Sequence, residues 1–431
     1  MRNPRALVRR LSASDFVRHG LLVFIATMAI NVFGYGFHFA ISRRVGVEQY
    51  GVLSALNALL MISLVFGQIA AIVVVKYAAE FRVTDNRAHL GALARKLVRF
   101  GAIATAVVIA FGIVVARPLA SYLRIPDVAA VVLTTTIIGI TIATPSLRAV
   151  FQGVEDFKTW ALSAVLESLG KFVAGVAFVY AGFGVVGAFA GWALGSAISI
   201  AYTAVVLLRR FGREPDNTLS IDVRRLVKTM AGVSLATLLL TGISNTDVLV
   251  VKHFVDPRTA GLYGALALSG RILFFLVGFV PIVVLPRASN LALAGKSAIG
   301  VLVQAFAISA LLSGIGLVGY AFFPKFVVTS LAGAAFAGAT PYVFTYGIAM
   351  VLLAGINVVV MYKIGIHRFD FIAPLGLCAV GEVVGISLRH ATLYEVIAVL
   401  VIGNGIALVA SSFGLNAPVR TRGGVSASVA A

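Results

Sequence analysis

Charge is scarce in this 431-residue chain: 12% of residues are Asp, Glu, Lys or Arg, against 60% hydrophobic. A soluble domain ordinarily carries about 25% charged and about 45–50% apolar residues, so an ordinary cytosolic globule and a disordered chain are both excluded. Cysteine is nearly absent. The single copy, Cys378, lies within an apolar run, which leaves no disulfide framework and no cysteine metal site. Acidic residues are the scarcer sign, 16 against 35 Lys and Arg, and the formal net charge is +19. Such a balance resembles a nucleic-acid binder's. With a mean hydropathy of +1.02 it reads instead as loop charge facing an anionic leaflet, and nucleic acid is not an expected partner. Enzyme signatures are missing as well: no His/Asp/Glu cluster at metal spacing, no phosphate loop, no Ser/His/Asp grouping. No catalytic residue, cofactor or metal is expected.

What the chain does contain is long apolar runs. A helix needs about 20 mostly apolar residues to cross a hydrocarbon core of about 30 Å. Twelve segments qualify, at 20–42, 51–75, 98–117, 128–148, 160–181, 184–208, 229–252, 259–286, 298–321, 340–362, 370–388 and 393–412. The junction at 321–340, with Phe322-Phe323-Pro324 and a Gly/Ala-rich stretch, is ambiguous. Alternating strand patterning is absent, so a barrel is not expected. The first segment is too long for a signal-peptide core and reads as an uncleaved anchor. The expectation is an all-α polytopic membrane protein with twelve transmembrane helices.

Lys and Arg concentrate in the amino-terminal tail and in the loops after the second and sixth segments, and are sparse on the other side. By the positive-inside rule both termini are cytoplasmic, in an inner membrane, which agrees with an even number of crossings. The polar interruption at 209–228 divides six segments from six. GVEQYGVLSALNALLMI (46–62) aligns with DPRTAGLYGALALSGRI (256–272), each following the first segment of its half. This predicts two six-helix lobes in a parallel, pseudo-two-fold repeat, with a substrate site where they meet. The organisation expected is a cytoplasmic basic tail (1–19), an amino-terminal lobe (20–208), a cytoplasmic linker (209–228), a carboxy-terminal lobe (229–412) and a disordered cytoplasmic tail (413–431).

Charges inside apolar segments cost roughly 2.5–3.5 kcal/mol each on insertion scales and mark candidate sites. Glu167 and Lys171 stand four apart on one helix face. They read either as a self-neutralised pair or as cavity lining, with Lys171 offered to an anionic head group. Asp247, in the polar run Ser244-Asn245-Thr246-Asp247, reads as an interior gating or ion-coupling carboxylate, or as a helix-end acid paired with Lys252 or His253. Arg271, about 18 Å into its segment, is placed to bind phosphate oxygens, or else to pair with Asp247 or Glu382. Glu382, flanked by Gly381 and Gly385, reads as a structural acid first and a coupling group second. Arg43 and Arg44 mark the outer end of the first segment, against the positive-inside bias.

Three stretches together resemble a known family. NTDVLVVKHFVDPRTAGLYGALALSGRI (245–272) is similar to the seventh-to-eighth span signature of lipid-linked oligosaccharide flippases. VGVEQYGVLSALNALLMISLVFGQIA (45–70) is similar to their first-to-second span motif, and RAVFQGVEDFKTWALSAVLE (148–167) to their fourth-to-fifth junction. The resemblance implies the polysaccharide branch of the multidrug/oligosaccharidyl-lipid/polysaccharide exporter superfamily. Its members are V-shaped bundles around a cationic central cavity that move undecaprenyl-diphosphate-linked glycans to the outer leaflet. By that analogy Arg271 and Asp247 face the cavity. The two extra spans of peptidoglycan-precursor flippases have no room here.

The function expected is a secondary transporter, not an enzyme, that flips a polyprenyl-diphosphate-linked oligosaccharide by alternating access. Its partners would be that glycan lipid, membrane lipids, a coupling proton or sodium, and polysaccharide-assembly proteins. Arg271, Lys171, Arg43 and Arg44 would bind the diphosphate; Asp247, Glu167 and Glu382 would gate or couple. The alternatives are a cation-coupled drug or metabolite antiporter of the same superfamily, a membrane glycan polymerase or ligase, and a non-transporting scaffold.

Overall fold

The computed structural model describes residues 13–212 and 223–415. The tail residues 1–12 and 416–431, and residues 213–222 of the expected linker, lie outside the described residues. Every regular element among the described residues is helical. Among the described residues nine helical spans are long and apolar enough to cross a membrane.

The first of these, Leu21–Val83, runs for 63 residues. That is about 95 Å, three times a hydrocarbon core, so it has to break. It breaks at Gly46, with φ 77° and ψ 173°, giving α1 (13–45) and α2 (47–83). A Cβ there would meet nothing within 4 Å. Backbone conformation rather than space therefore selects glycine. After α3 (Arg87–Tyr122) and α4 (Val128–Gly153), the second over-long stretch, Phe157–Phe211, is interrupted by a π-helical turn at Val179–Phe183. The interruption separates α5 (Phe157–Phe178) from α6 (Gly184–Phe211).

The chain continues through α7 (Val223–Phe254), α8 (Pro257–Leu276), α9 (Phe279–Leu293) and α10 (Ile299–Phe322). The expected segment 259–286 lies within one apolar span, Pro257–Ala292, but its helix is interrupted: α8 stops at Leu276 and α9 restarts at Phe279. Pro281 explains the break. It has no N–H for the carbonyl of Val277, and its ring would collide there if the helix ran on. The ambiguous stretch after α10 holds a short helix α11 (Pro324–Leu331) and a 3-10 helix at Ala334–Tyr342. Then come α12 (Val343–Gly365), α13 (Ile372–Leu388) and α14 (Leu393–Ser412).

The contacts divide the chain into two compact units, Met1–Met230 and Ala231–Ala431. In the first, α4 is the central helix and packs on α3, α6 and the Ala13–Val83 segment. Its buried threonines do not strain the apolar interior, because Thr134, Thr141 and Thr144 each donate to the carbonyl one turn back at 2.8 Å. α5 and α6 approach until their backbones touch: a Cβ on Gly191 would lie 2.1 Å from the Gly175 nitrogen, and one on Gly195 would lie 2.4 Å from the Lys171 nitrogen. In the second unit α12 is central, against α8, α9, α10 and α14, with Val358 and Tyr362 buried on Val284, Ala288 and Leu302.

Polar turns fix the helix ends. In the first unit Glu155 pairs with Arg82 at 2.7 Å. Asp156 caps α5 by accepting from the Thr159 nitrogen at 3.1 Å and hydroxyl at 2.6 Å, and it pairs with Arg210 at the end of α6. In the second unit the buried Lys363 ammonium donates to Asp370 at 3.0 Å and to the Phe413 carbonyl at 2.7 Å. Each unit thus ties its last helix to an interhelical turn.

Two predictions follow from this packing. Gly191→Val should prevent α5–α6 contact and abolish a monodisperse peak in size-exclusion chromatography. Gly314→Ala, where a Cβ meets nothing within 4 Å, should stay within about 0.5 kcal/mol of the wild type. At Asp156, partial burial pushes the carboxyl up, but the Thr159 hydrogen bonds and the Arg210 charge outweigh it and hold it below the ordinary value. Its stabilisation is complete near neutral pH and is lost as pH falls through that depressed value. Below about pH 4 thermal melts of the wild type should therefore approach those of Asp156→Asn, having been higher at pH 7.

Candidate functional site

The polar interior of the first unit is built on three helices. Arg148, near the end of α4, donates from Nε to the Ser163 hydroxyl at 2.8 Å and from Nη2 to the Ser163 carbonyl at 3.1 Å, the Ser199 hydroxyl at 2.6 Å and Glu167 Oε2 at 2.5 Å. Ser163 and Glu167 lie one turn apart on α5; Ser199 and Thr203 lie one turn apart on α6. Ser163 and Thr203 share a hydrogen bond of 2.6 Å, and Ser196 donates to Glu167 Oε1 at 3.3 Å. Glu167 is thus held by α4 and α6 together.

This arrangement corrects one expectation. Glu167 and Lys171 do not neutralise each other: the carboxylate pairs with Arg148. No acidic oxygen lies within 4 Å of Lys171 among the described residues. Its ammonium sits instead 3.4 Å above the Trp192 ring and 4.5 Å above the Phe37 ring. The two aromatic faces supply a quadrupolar attraction to the ammonium in place of an ion pair. Arg148, the last residue of the segment 128–148, is a site residue that sequence reasoning missed. The signal available was the four-residue spacing of polar side chains on both α5 and α6.

Arg43 and Arg44 end α1 just before the Gly46 break, both exposed. The Arg43 guanidinium lies 3.5 Å over the Phe39 ring and donates to the Phe39 carbonyl at 2.9 Å, while Arg44 lies 5.7 Å from the Tyr180 ring. Neither arginine is among the groups that Arg148 binds, which are Ser163, Ser199 and Glu167.

The second unit separates acid from base in a different way. Asp247 on α7 is buried, and its Oδ2 accepts from the Tyr263 hydroxyl of α8 at 2.5 Å and, more weakly, from Tyr346 of α12 at 3.4 Å. Oδ1 has no hydrogen-bond partner of ordinary geometry among the described residues. Arg271 does not pair with Asp247 or Glu382. Its Nη2 donates to the neutral amide oxygen of Asn245 at 2.8 Å, and no carboxylate lies within 4 Å of it among the described residues. Glu382 is buried on α13 beside Gly403 of α14. Of its flanking glycines only Gly385 is close-packed, against Val399; Gly381 meets nothing within 4 Å. Among the described residues no group of three or more His, Cys, Asp or Glu is placed to hold a metal ion.

In each unit, among the described residues, a basic side chain within the helices has aromatic or amide groups as its close neighbours and no carboxylate within 4 Å.

Comparison with known proteins agrees with this architecture. A family described as "Polysaccharide biosynthesis protein" matches residues 16–292. No curated protein matches the chain in sequence. Among solved structures, the chain is similar to an inward-facing multidrug resistance MATE family transporter of the MOP superfamily, with a TM-score of 0.74 at 14% identity over 89% of this chain and 92% of that one. It is similar to the lipid II flippase MurJ in an inward closed conformation, with a TM-score of 0.64 at 12% identity over 92% and 86%. The eukaryotic MATE transporter AtDTX14 gives a TM-score of 0.59 at 14% identity over 93% and 95%. The fold is therefore shared with transporters and a flippase.

The unequal bonds to Asp247 give a test of this geometry. Tyr263→Phe should destabilise the protein by about 1–3 kcal/mol, the cost of leaving a buried acceptor without its donor. Tyr346→Phe should cost less, its bond being longer. Denaturation of each variant in lipid nanodiscs measures the difference.

Proposed function

Because the chain belongs to the polysaccharide biosynthesis protein family, we propose that it is a secondary transporter that flips a polyprenyl-diphosphate-linked oligosaccharide from the inner to the outer leaflet by alternating access. One observation carries this reading: Lys171 and Arg271 both lie within apolar helices with no carboxylate within 4 Å among the described residues. An uncompensated cation there costs several kcal/mol, which a diphosphate would offset when it binds. A glycan and its phosphates cannot cross hydrocarbon with their polar groups unsatisfied. Lys171 and Arg271 supply charge-assisted contacts to the head group while the polyprenyl tail stays in lipid. Arg43 and Arg44, exposed at the end of α1, would meet the anion at one end of its passage.

Asp247 takes the coupling role in this reading. Its second oxygen is left for a proton or a sodium ion, so that cation binding there would compete with the bond from Tyr263. Glu167 and Glu382 act as secondary gating groups. The same reading has twelve crossings: the two arms either side of Gly46, the two either side of Val179–Phe183, and Ile372–Leu388 counted as one. Six fall in 20–208 and six in 229–412, with both termini cytoplasmic in the inner membrane. The partners are the glycan lipid, the surrounding lipids, the coupling cation and polysaccharide-assembly proteins.

A cation-coupled drug antiporter is the second reading, favoured by the similarity to MATE transporters. It requires a site that attracts cationic drugs, and the uncompensated charges here are positive. The test is flipping of a fluorescent polyprenyl-diphosphate sugar in proteoliposomes. Arg271→Ala and Lys171→Gln should each lower the rate by about tenfold or more, the loss of one charged hydrogen bond, with normal incorporation into the vesicles. Unchanged flipping in both, or ethidium export by the wild type with no flipping, would overturn the proposal.

A further inference from the structure

Glu167 and Lys171 stand on one helix in the orientation that ordinarily favours pairing, acid first and base four residues later. Within an apolar bundle that attraction is little screened. Yet the carboxylate is 2.5 Å from Arg148 and the ammonium is 3.4 Å above Trp192. Some interaction outside α5 holds the two apart.

We propose that Arg148 is a positioning residue: by engaging Glu167 from α4, it keeps the Lys171 ammonium free for the anionic head group. The claim rests on the reading of Lys171 as a head-group contact. Arg148 is not itself offered to a ligand through Nε or Nη2, which are occupied by the Ser163 hydroxyl and carbonyl, the Ser199 hydroxyl and Glu167. Its effect is exerted through the carboxylate. With Arg148 the cluster of three charges is net positive and the excess sits on Lys171. Without it, Glu167 and Lys171 would close on each other across one turn and the cluster would be neutral. Trp192 and Phe37 form the resting place for the released ammonium, and the α5–α6 contact at Gly195, beside the Lys171 nitrogen, sets their spacing.

Trp192 also provides the probe, since the chain has two tryptophans. With Trp160→Phe as background, Trp192 emission reports the cation above its ring. Arg148→Gln should shift that emission, and Lys171→Gln should shift it equally. Arg148→Lys, which keeps a cation for Glu167, and the double variant Arg148→Gln/Glu167→Gln should both return the wild-type spectrum. In nanodiscs, affinity for a polyprenyl diphosphate should fall about tenfold or more in Arg148→Gln, as for one hydrogen bond to a charged group, and recover in the double variant. A double variant that keeps the displaced spectrum or the weak affinity overturns the proposal. Should Arg148→Gln not fold, the double variant decides alone, since it leaves no unpaired carboxylate. If the spectra behave as stated but Lys171→Gln binds the diphosphate as tightly as the wild type, the positioning role stands and the head-group reading falls.

Discussion

A basic side chain held among apolar helices, with no carboxylate within 4 Å among the described residues, is the constraint on which this structure turns. Hydrocarbon penalises such a charge by several kcal/mol, and a carboxylate one turn away would relieve it. In the first unit the relief is withheld. Arg148 crosses from α4 to take Glu167, and three serines and a threonine close the network around the pair. Lys171 is left with the faces of Trp192 and Phe37. The close approach of α5 and α6 is part of the same device: glycines at 191 and 195 let α6 come near enough to lay Trp192 on the lysine.

The second unit reaches a comparable state by other means. There the acid is bracketed by two tyrosines and the base by an amide, so Asp247 and Arg271 stay apart although each has a buried polar partner. Both solutions place a third group between residues that would otherwise pair. Under the proposed function, the consequence is an interior that would receive an anion without first breaking a salt bridge, as a carrier of lipid diphosphates would require. A cation exporter would need the opposite sign.

Much of the helical pattern was legible in the sequence because it depends on length and hydropathy alone. The 63-residue run could not be one helix in a bilayer, and VGVEQYG marks the break that Gly46 makes. Hydropathy found the eighth segment as one apolar span, but it is blind to the break inside it, where Pro281 has no N–H for the Val277 carbonyl. The charged residues were found individually, since each is conspicuous in an apolar run. Their partnerships were not. A four-residue spacing identifies a pair only when no other helix competes, and Arg148 competes from the end of α4. Tyr263 and Tyr346 carried no sequence signal as partners of Asp247, for an aromatic residue in an apolar helix is ordinarily read as packing.

The central claim is that Lys171 and Arg271 hold charge for an anion. Equilibrium binding of a polyprenyl diphosphate and of the corresponding uncharged polyprenol to the wild type and to Lys171→Gln/Arg271→Gln in nanodiscs tests it most directly. The account predicts that the wild type prefers the diphosphate strongly and that the double variant binds both lipids alike. Equal affinity of the wild type for the two lipids, or an undiminished preference in the double variant, would contradict it.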